Sequence, residues 1–163
     1  MSRKKRQKWG VGSVFVVPLK DGEYCVGQVI VRERELLNSA AVAFYDRKGQ
    51  LDADGQLPQV SVESIISVIY VTVDLLNSGR WSVVGQADDS ASLPMQPYEH
   101  LRDAGFVGAK IRGSSIAESF LNAFYALEAW DDWYVADYLD DFLISPAKKP
   151  VDRLVYSGRH PTG

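Results

Sequence analysis

The residue types that do chemistry are few in this chain, and they are scattered. His100 and His160 stand far apart. Neither falls in an H-x-x-x-H or C-x-x-C pattern that would bring two metal ligands together, so both read as surface histidines. Cys25 is the one cysteine. It lies inside a strand-like run and reads as a buried, inert thiol, because a nucleophile needs a neighbouring base and an electropositive setting. A lone cysteine forms no internal disulfide, which suits a reducing cytoplasm. The sequence holds no G-x-S-x-G elbow, no Walker-type phosphate loop and no dinucleotide fingerprint. No catalytic, metal-ligating or cofactor-binding residue is therefore assigned, and neither an enzyme nor a cofactor is expected.

Two other constellations have chemical meaning. Lys110, Arg112, Gly113, Ser114 and Ser115 lead into a helix start, where free N–H groups favour an anion; ordinary N-capping accounts for the same residues. The stronger feature is charge. Between residues 113 and 147 there is no Lys or Arg, while seven acids occur: Glu118, Glu128, Asp131, Asp132, Asp137, Asp140 and Asp141. The acids lack the alternating pattern and central glycine of a calcium loop. Interleaved with them are Trp130, Trp133, Tyr134 and Tyr138, large rings that are hard to bury as well beside Phe120, Phe124 and Phe142; the alternative is that the tryptophans cap the barrel's open end. Aromatic anchors with carboxylates around them are the makings of a protein interface: the rings supply binding energy, and the charge steers a basic partner. Trp130, Asp131, Asp132, Trp133, Tyr134, Asp137, Tyr138, Asp140 and Asp141 are the expected partner-binding residues. Nucleic acid would be repelled there, although self-association is another use of such a surface.

The elements that must carry this surface begin with β-structure. Residues 13–19 (SVFVVPL) and 24–33 (YCVGQVIVRE) flank a Lys-Asp-Gly turn and read as a hairpin. Residues 40–45 and 65–73 are further strands; the second, nearly all apolar, predicts burial on both faces. Residues 74–79 allow one helical turn stopped by Gly79, followed by short strands at 81–85 and 106–112. From residue 113 the period changes. Ser115 and Glu118 fit a capping box, with Ser114 a competing cap. Ile116, Phe120, Phe124 and Leu127 then mark one face of a helix running to about residue 128. A second, shorter helix is expected over 136–143, with Leu139, Phe142 and Leu143 inward, and an edge strand over 153–156. The fold class is α+β: a strongly bent, barrel-like antiparallel sheet in the N-terminal half with a C-terminal helical pair packed on it. Residues 9–156 form one domain, 1–8 a basic arm and 157–163 a tail.

No apolar run approaches the ~20 residues that span a bilayer, and the basic start lacks the apolar stretch of a secretory signal, so no membrane partner is expected. Five of the first eight residues are basic, so the net charge of −3 understates the acidity of the rest.

The segment GSVFVVPLKDGEYCVGQVI resembles the opening of the immunity protein 26 family: a Phe-containing strand ending in Pro-Leu, an Asp-Gly turn, then a Tyr-x-x-Gly-x-Val strand. Gly12, Val14, Phe15, Pro18, Leu19, Asp21, Gly22, Tyr24, Gly27 and Val29 stand at those places. Ser13 departs from the acidic residue of the family pattern. Trp81 and Gly85 in GRWSVVGQ are similar to a Trp-containing family segment, and the acidic aromatic stretch at 121–143 is similar in character. The resemblance spans most of residues 9–144. It implies a bacterial immunity protein of polymorphic toxin systems, which neutralises a cognate toxin, often a nuclease; it implies no cofactor and transfers no contact residues. The expected function is thus binding of a basic toxin protein through the acidic aromatic surface. The alternative is a small nucleic-acid-binding module using the barrel-like sheet and the basic arm.

Overall fold

The computed structural model describes residues 6–33, 36, 38–50, 61–87, 103–105 and 110–155. Residues 1–5 of the basic arm, the tail, and both histidines lie outside the described residues. Strands β1 (Ser13–Pro18), β2 (Tyr24–Glu33), β3 (Ser39–Gly49), β4 (Ile65–Val71), β5 (Ser82–Gln86) and β6 (Ile111–Arg112) form one sheet in the order β5-β1-β2-β3-β4-β6. All pairings are antiparallel except β4 with β6, so the sheet is mixed. Register shifts interrupt β1–β5, β2–β3 and β3–β4, and such bulges bend and twist a sheet. The bend does not end in a barrel: among the described strands, β5 and β6 stand at the two edges without pairing to each other.

The first hairpin forms as its sequence dictates. Gly22 takes the left-handed conformation, with φ of 85°, and Leu19 N–H donates to the carbonyl of Glu23. β3 runs past the polar residues expected to stop it. Lys48 pairs with both Asp21 and Glu23 and faces Cys25 across the ladder, so a tertiary ion cluster overrides the local turn signal.

Both faces of the sheet are buried. Val14, Val16, Val26, Ile30, Ala41, Ala43, Tyr45, Ile65 and Tyr70 form one cluster. The opposite face carries Phe15, Val17, Val29, Val42, Phe44 and Ile66 against the helical elements. β4 contributes to both clusters, in line with its continuous apolarity.

Helix α1 (Asp74–Ser78) is a single turn closed by Gly79 at φ 86°. Helix α2 (Ser114–Phe124) buries Ala117, Phe120, Leu121 and Ala123 against the sheet. The expected capping box does not form. Gly113 is the N-cap, and no cap side chain bonds back to the helix. Instead Thr72 accepts from Ser114 N–H at 2.9 Å, while Ser114 Oγ donates to Asp74 at 2.7 Å. Thr72 thus takes one N–H of the helix start suggested as a cradle by Lys110 to Ser115, and the Asp74 carboxylate sits on the Ser114 hydroxyl, where an anion would be repelled. α2 stops four residues earlier than its apolar period predicts. Ala126 turns left-handed at φ 60°, and Leu127 N–H reaches back to the carbonyl of Asn122. The second member of the helical pair is a short 3-10 helix, Tyr138–Phe142, rather than an α-helix. It still buries Leu139 and Phe142 as expected.

Among the described residues no helix is long and apolar enough to cross a membrane.

Candidate functional site

The acidic aromatic segment folds as a loop between α2 and the 3-10 helix, fixed at both ends. Trp130 anchors the near end. Its ring is buried against Phe120 at 5.9 Å, and its Nε1 donates to Asp140 at 2.7 Å. Its backbone N–H donates to Leu154. Phe142 anchors the far end, stacked on Phe120 at 5.2 Å. Tyr138 packs on Phe142 at 5.4 Å, and Trp133 packs on Tyr138 at 5.0 Å. An aromatic ladder therefore runs from the core at Phe120 to the half-buried ring of Trp133.

The nine expected contact residues divide accordingly. Tyr134 is fully exposed, with a relative accessibility of 103%, and its neighbour Val135 is exposed as well. Trp133 and Tyr138 are half-buried. Asp132 and Asp137 are exposed, and their carboxylates make no ion pair or hydrogen bond with a described residue. Asp131 is half-buried and engaged. Trp130, expected among the exposed anchors, is buried and belongs to the scaffold. Asp140 is tied to it and to Lys149 at 3.0 Å. Burial opposes ionisation of Asp140, but the hydrogen bonds from Trp130 and Lys149, with the charges of Lys149 and Arg153, hold its carboxyl below the ordinary aspartate value. Asp141 stays largely exposed, 3.9 Å from Lys110.

Cations that the sequence places outside the acidic stretch thus return to it in space. Arg112 lies 4.4 Å from the Phe142 ring centre and 5.3 Å from that of Tyr138, whose hydroxyl accepts from it at 3.4 Å. The signal was available, since basic residues bound the segment on both sides at Lys110, Arg112, Lys148 and Lys149. Sequence reasoning did not single out Val135, Lys148 or Lys149, and it read Lys110 and Arg112 as part of a helix start rather than as partners of the acidic segment.

Elsewhere the chemistry is subdued. No group of three or more potential metal ligands occurs among the described residues. Cys25 is fully buried, and burial pushes its thiol up to about 12. It sits beside Tyr125, whose hydroxyl donates to Asp46 at 2.9 Å and is itself raised above its ordinary value, chiefly by burial.

The family pattern now has a physical basis. Gly27 of β2 faces Phe15 across β1 and Phe44 across β3. Phe15 stacks on Trp81 at 5.2 Å with the rings 3° from parallel. Trp81 is sealed in the core and donates through Nε1 to Glu118 at 2.9 Å. The sequence model of the immunity protein 26 family matches residues 10–108. That span holds the hairpin, β3, β4 and Trp81, and it ends before β6, α2 and the loop. No curated protein and no solved structure matches the chain. With well over half of its length matched, the chain belongs to the immunity protein 26 family.

Proposed function

We propose that this immunity protein neutralises a toxin with a basic surface by gripping it through the loop at residues 131–138. The observation that carries the reading is Tyr134, wholly exposed on a loop held at both ends, with the exposed carboxylates of Asp132 and Asp137, unpaired among the described residues, nearby in the chain. A tyrosine ring offers large contact area at low entropic cost, and the anchored loop reduces the ordering that binding would otherwise require. Trp133, Tyr138 and Val135 extend the apolar contact. Asp132, Asp137 and the largely exposed Asp141 steer a cationic groove toward it. A nuclease fits this chemistry, because its substrate groove is lined with cations that hold phosphates, and carboxylates on a fixed loop can take their place. Trp130 and Asp140 hold the loop from below rather than touching the partner.

The test is calorimetric titration against a toxin domain whose growth inhibition this chain relieves on co-expression, with growth rescue of the variants in parallel. Tyr134→Ala should weaken binding about thirty-fold, the ~2 kcal/mol of a true hot spot. The double change Asp132→Asn with Asp137→Asn should slow association and flatten its salt dependence. Unchanged affinity and protection in both variants would place the docking face elsewhere.

A further inference from the structure

A cleft of about 340 Å³ opens between the β1–β2 turn, Arg80 and the outer face of α2. Ser115, Glu118, Ser119 and Asn122 form its helical wall, at spacings that share one face of a helix. Asn122 fixes the wall to the turn: its Oδ1 accepts from Lys20 N–H and its Nδ2 donates to the Glu118 carbonyl, both at 2.9 Å. Two ion pairs line the cleft. Lys20 meets Glu128 at 3.3 Å. Arg80 grips Glu118 in a fork, Nε to Oε1 at 2.7 Å and Nη2 to Oε2 at 3.0 Å.

The two members of each pair are unequally placed. Lys20 is 60% exposed and Glu128 24%; Arg80 is 54% exposed and Glu118 12%. Glu118 is also committed to the buried Trp81 Nε1. Solvent therefore meets the cations, while the carboxylates beneath them hold them in position. Arg80 keeps Nη1 free of any described partner, and the hydroxyls of Ser115 and Ser119 make no hydrogen bond with a described residue. A cation entering here would face two exposed cations to reach carboxylates that already have partners. An anion would meet a guanidinium with spare donors, an ammonium and two free hydroxyls.

We propose that the cleft receives an acidic side chain of the toxin, its carboxylate held by Arg80 and Lys20. The volume is at the small end of ligand pockets, about 300–1,000 Å³, and suits one inserted side chain. The proposal rests on the protein-binding reading of this chain but not on the loop at residues 131–138. It answers a need the loop leaves open. An acidic loop attracts any cationic surface, whereas a second site demanding one acid at a set place rejects partners without it and fixes the register of docking.

The experiment uses the full chain and a toxin domain whose growth inhibition it relieves on co-expression, measured by calorimetry. Lys20→Glu reverses the exposed cation, and Ser119→Phe fills the cleft from a half-buried helix position. Each should weaken binding about tenfold, with the melting temperature close to that of the unaltered protein. Wild-type affinity in both variants, or tighter binding by Lys20→Glu, would overturn the proposal. Tyr134→Ala, run alongside, separates the two readings: its loss without a cleft effect leaves the loop and removes the cleft, and the reverse leaves the cleft and removes the loop. Inorganic phosphate, titrated while amide resonances are followed, provides the last arm. Shifts at Ser115 and Ser119 with toxin affinity untouched by Lys20→Glu would mark a small-anion site and overturn the side-chain assignment.

Discussion

Gly27 offers the sharpest test of how the sheet is assembled. A Cβ at this position would lie 2.5 Å from Phe15 Cζ and 2.6 Å from Cε2, where carbon atoms prefer separations of about 3.5–4.0 Å. Relief requires the Phe15 ring to retreat by about 1 Å. It has nowhere to go, because it is stacked on Trp81 and meets Phe44 edge-on at 6.0 Å. Trp81 is in turn tied to Glu118. Overpacking of such a site costs about 3 kcal/mol, the upper end of its usual range. Against this, alanine restricts the unfolded chain and returns roughly 0.4–1 kcal/mol. The steric term wins, and Gly27→Ala should destabilise by about 2 kcal/mol. For a chain of this size that lowers the melting temperature by about 4–8 °C. Calorimetric melting and urea unfolding would measure it. Trimming the ring should relieve the clash, so Gly27→Ala should cost about 1–2 kcal/mol less in a Phe15→Leu background. A Gly27→Ala protein that melts at or above the temperature of the unaltered chain would refute the argument that ring approach is what demands glycine.

Three further outcomes follow from the same structure. With its thiol pushed up to about 12, Cys25 should be thiolate in only about one molecule in ten thousand at pH 8 and resist thiol reagents until the protein unfolds; rapid labelling of the native protein at the unfolding-independent rate of a free thiol would contradict its burial. Glu118→Ala leaves the Trp81 indole N–H buried without an acceptor and should cost about 2 kcal/mol in urea unfolding, nearly all from Trp81, since the exposed Arg80 half of the contact contributes little; an equal loss in Arg80→Ala would reverse that apportionment. Asp140 has a folded-state value below its unfolded one, so its contribution is complete at neutral pH. It is lost as the unfolded chain takes up protons first, from about pH 5 downward through the folded value. Asp140→Asn should therefore weaken the protein at pH 7 and flatten the acid limb of its stability curve, and an unaltered acid limb would show that other carboxylates set it.

The fold was legible wherever local and tertiary preferences agree. The hairpin turn at Asp21-Gly22, the strand-like runs of β1 and β2, and the doubly buried β4 all follow from residue type, and the structure has them at nearly the expected bounds. Legibility failed where distant groups decide. β3 continues through Asp46 to Gly49 because Lys48 finds Asp21 and Glu23. The Ser115–Glu118 box stays unmade because the Glu118 carboxylate is taken by the buried Trp81 indole and by the Arg80 fork. α2 ends at Phe124, where the left-handed turn at Ala126 lets Leu127 bond back to Asn122. Barrel closure depends on how strand edges meet, which strand sequences do not encode.

The loop proposed for docking illustrates the harder part of the problem. An unbroken run of acids in sequence is not an unbroken negative field in space. Lys110, Arg112 and Lys149 fold back onto the segment. Asp140 becomes a fastener for Trp130, while Asp132 and Asp137 keep their charge free. The rings divide by the same logic. Trp130 and Phe142 pack directly on Phe120 and are buried, Tyr138 and Trp133 continue that ladder outward half-buried, and Tyr134 is wholly exposed. A surface of this kind has to be strong enough to hold a toxin and rigid enough not to lose the gain in ordering itself. Burial of Trp130 and Phe142 on either side of a short exposed loop would serve both demands on the proposed reading. On the proposed reading, the residues that bind and those that shape the loop are therefore different residues of one segment. Trp130→Phe and Tyr134→Ala should weaken toxin binding by separate routes, the first with a loss of stability and the second without it.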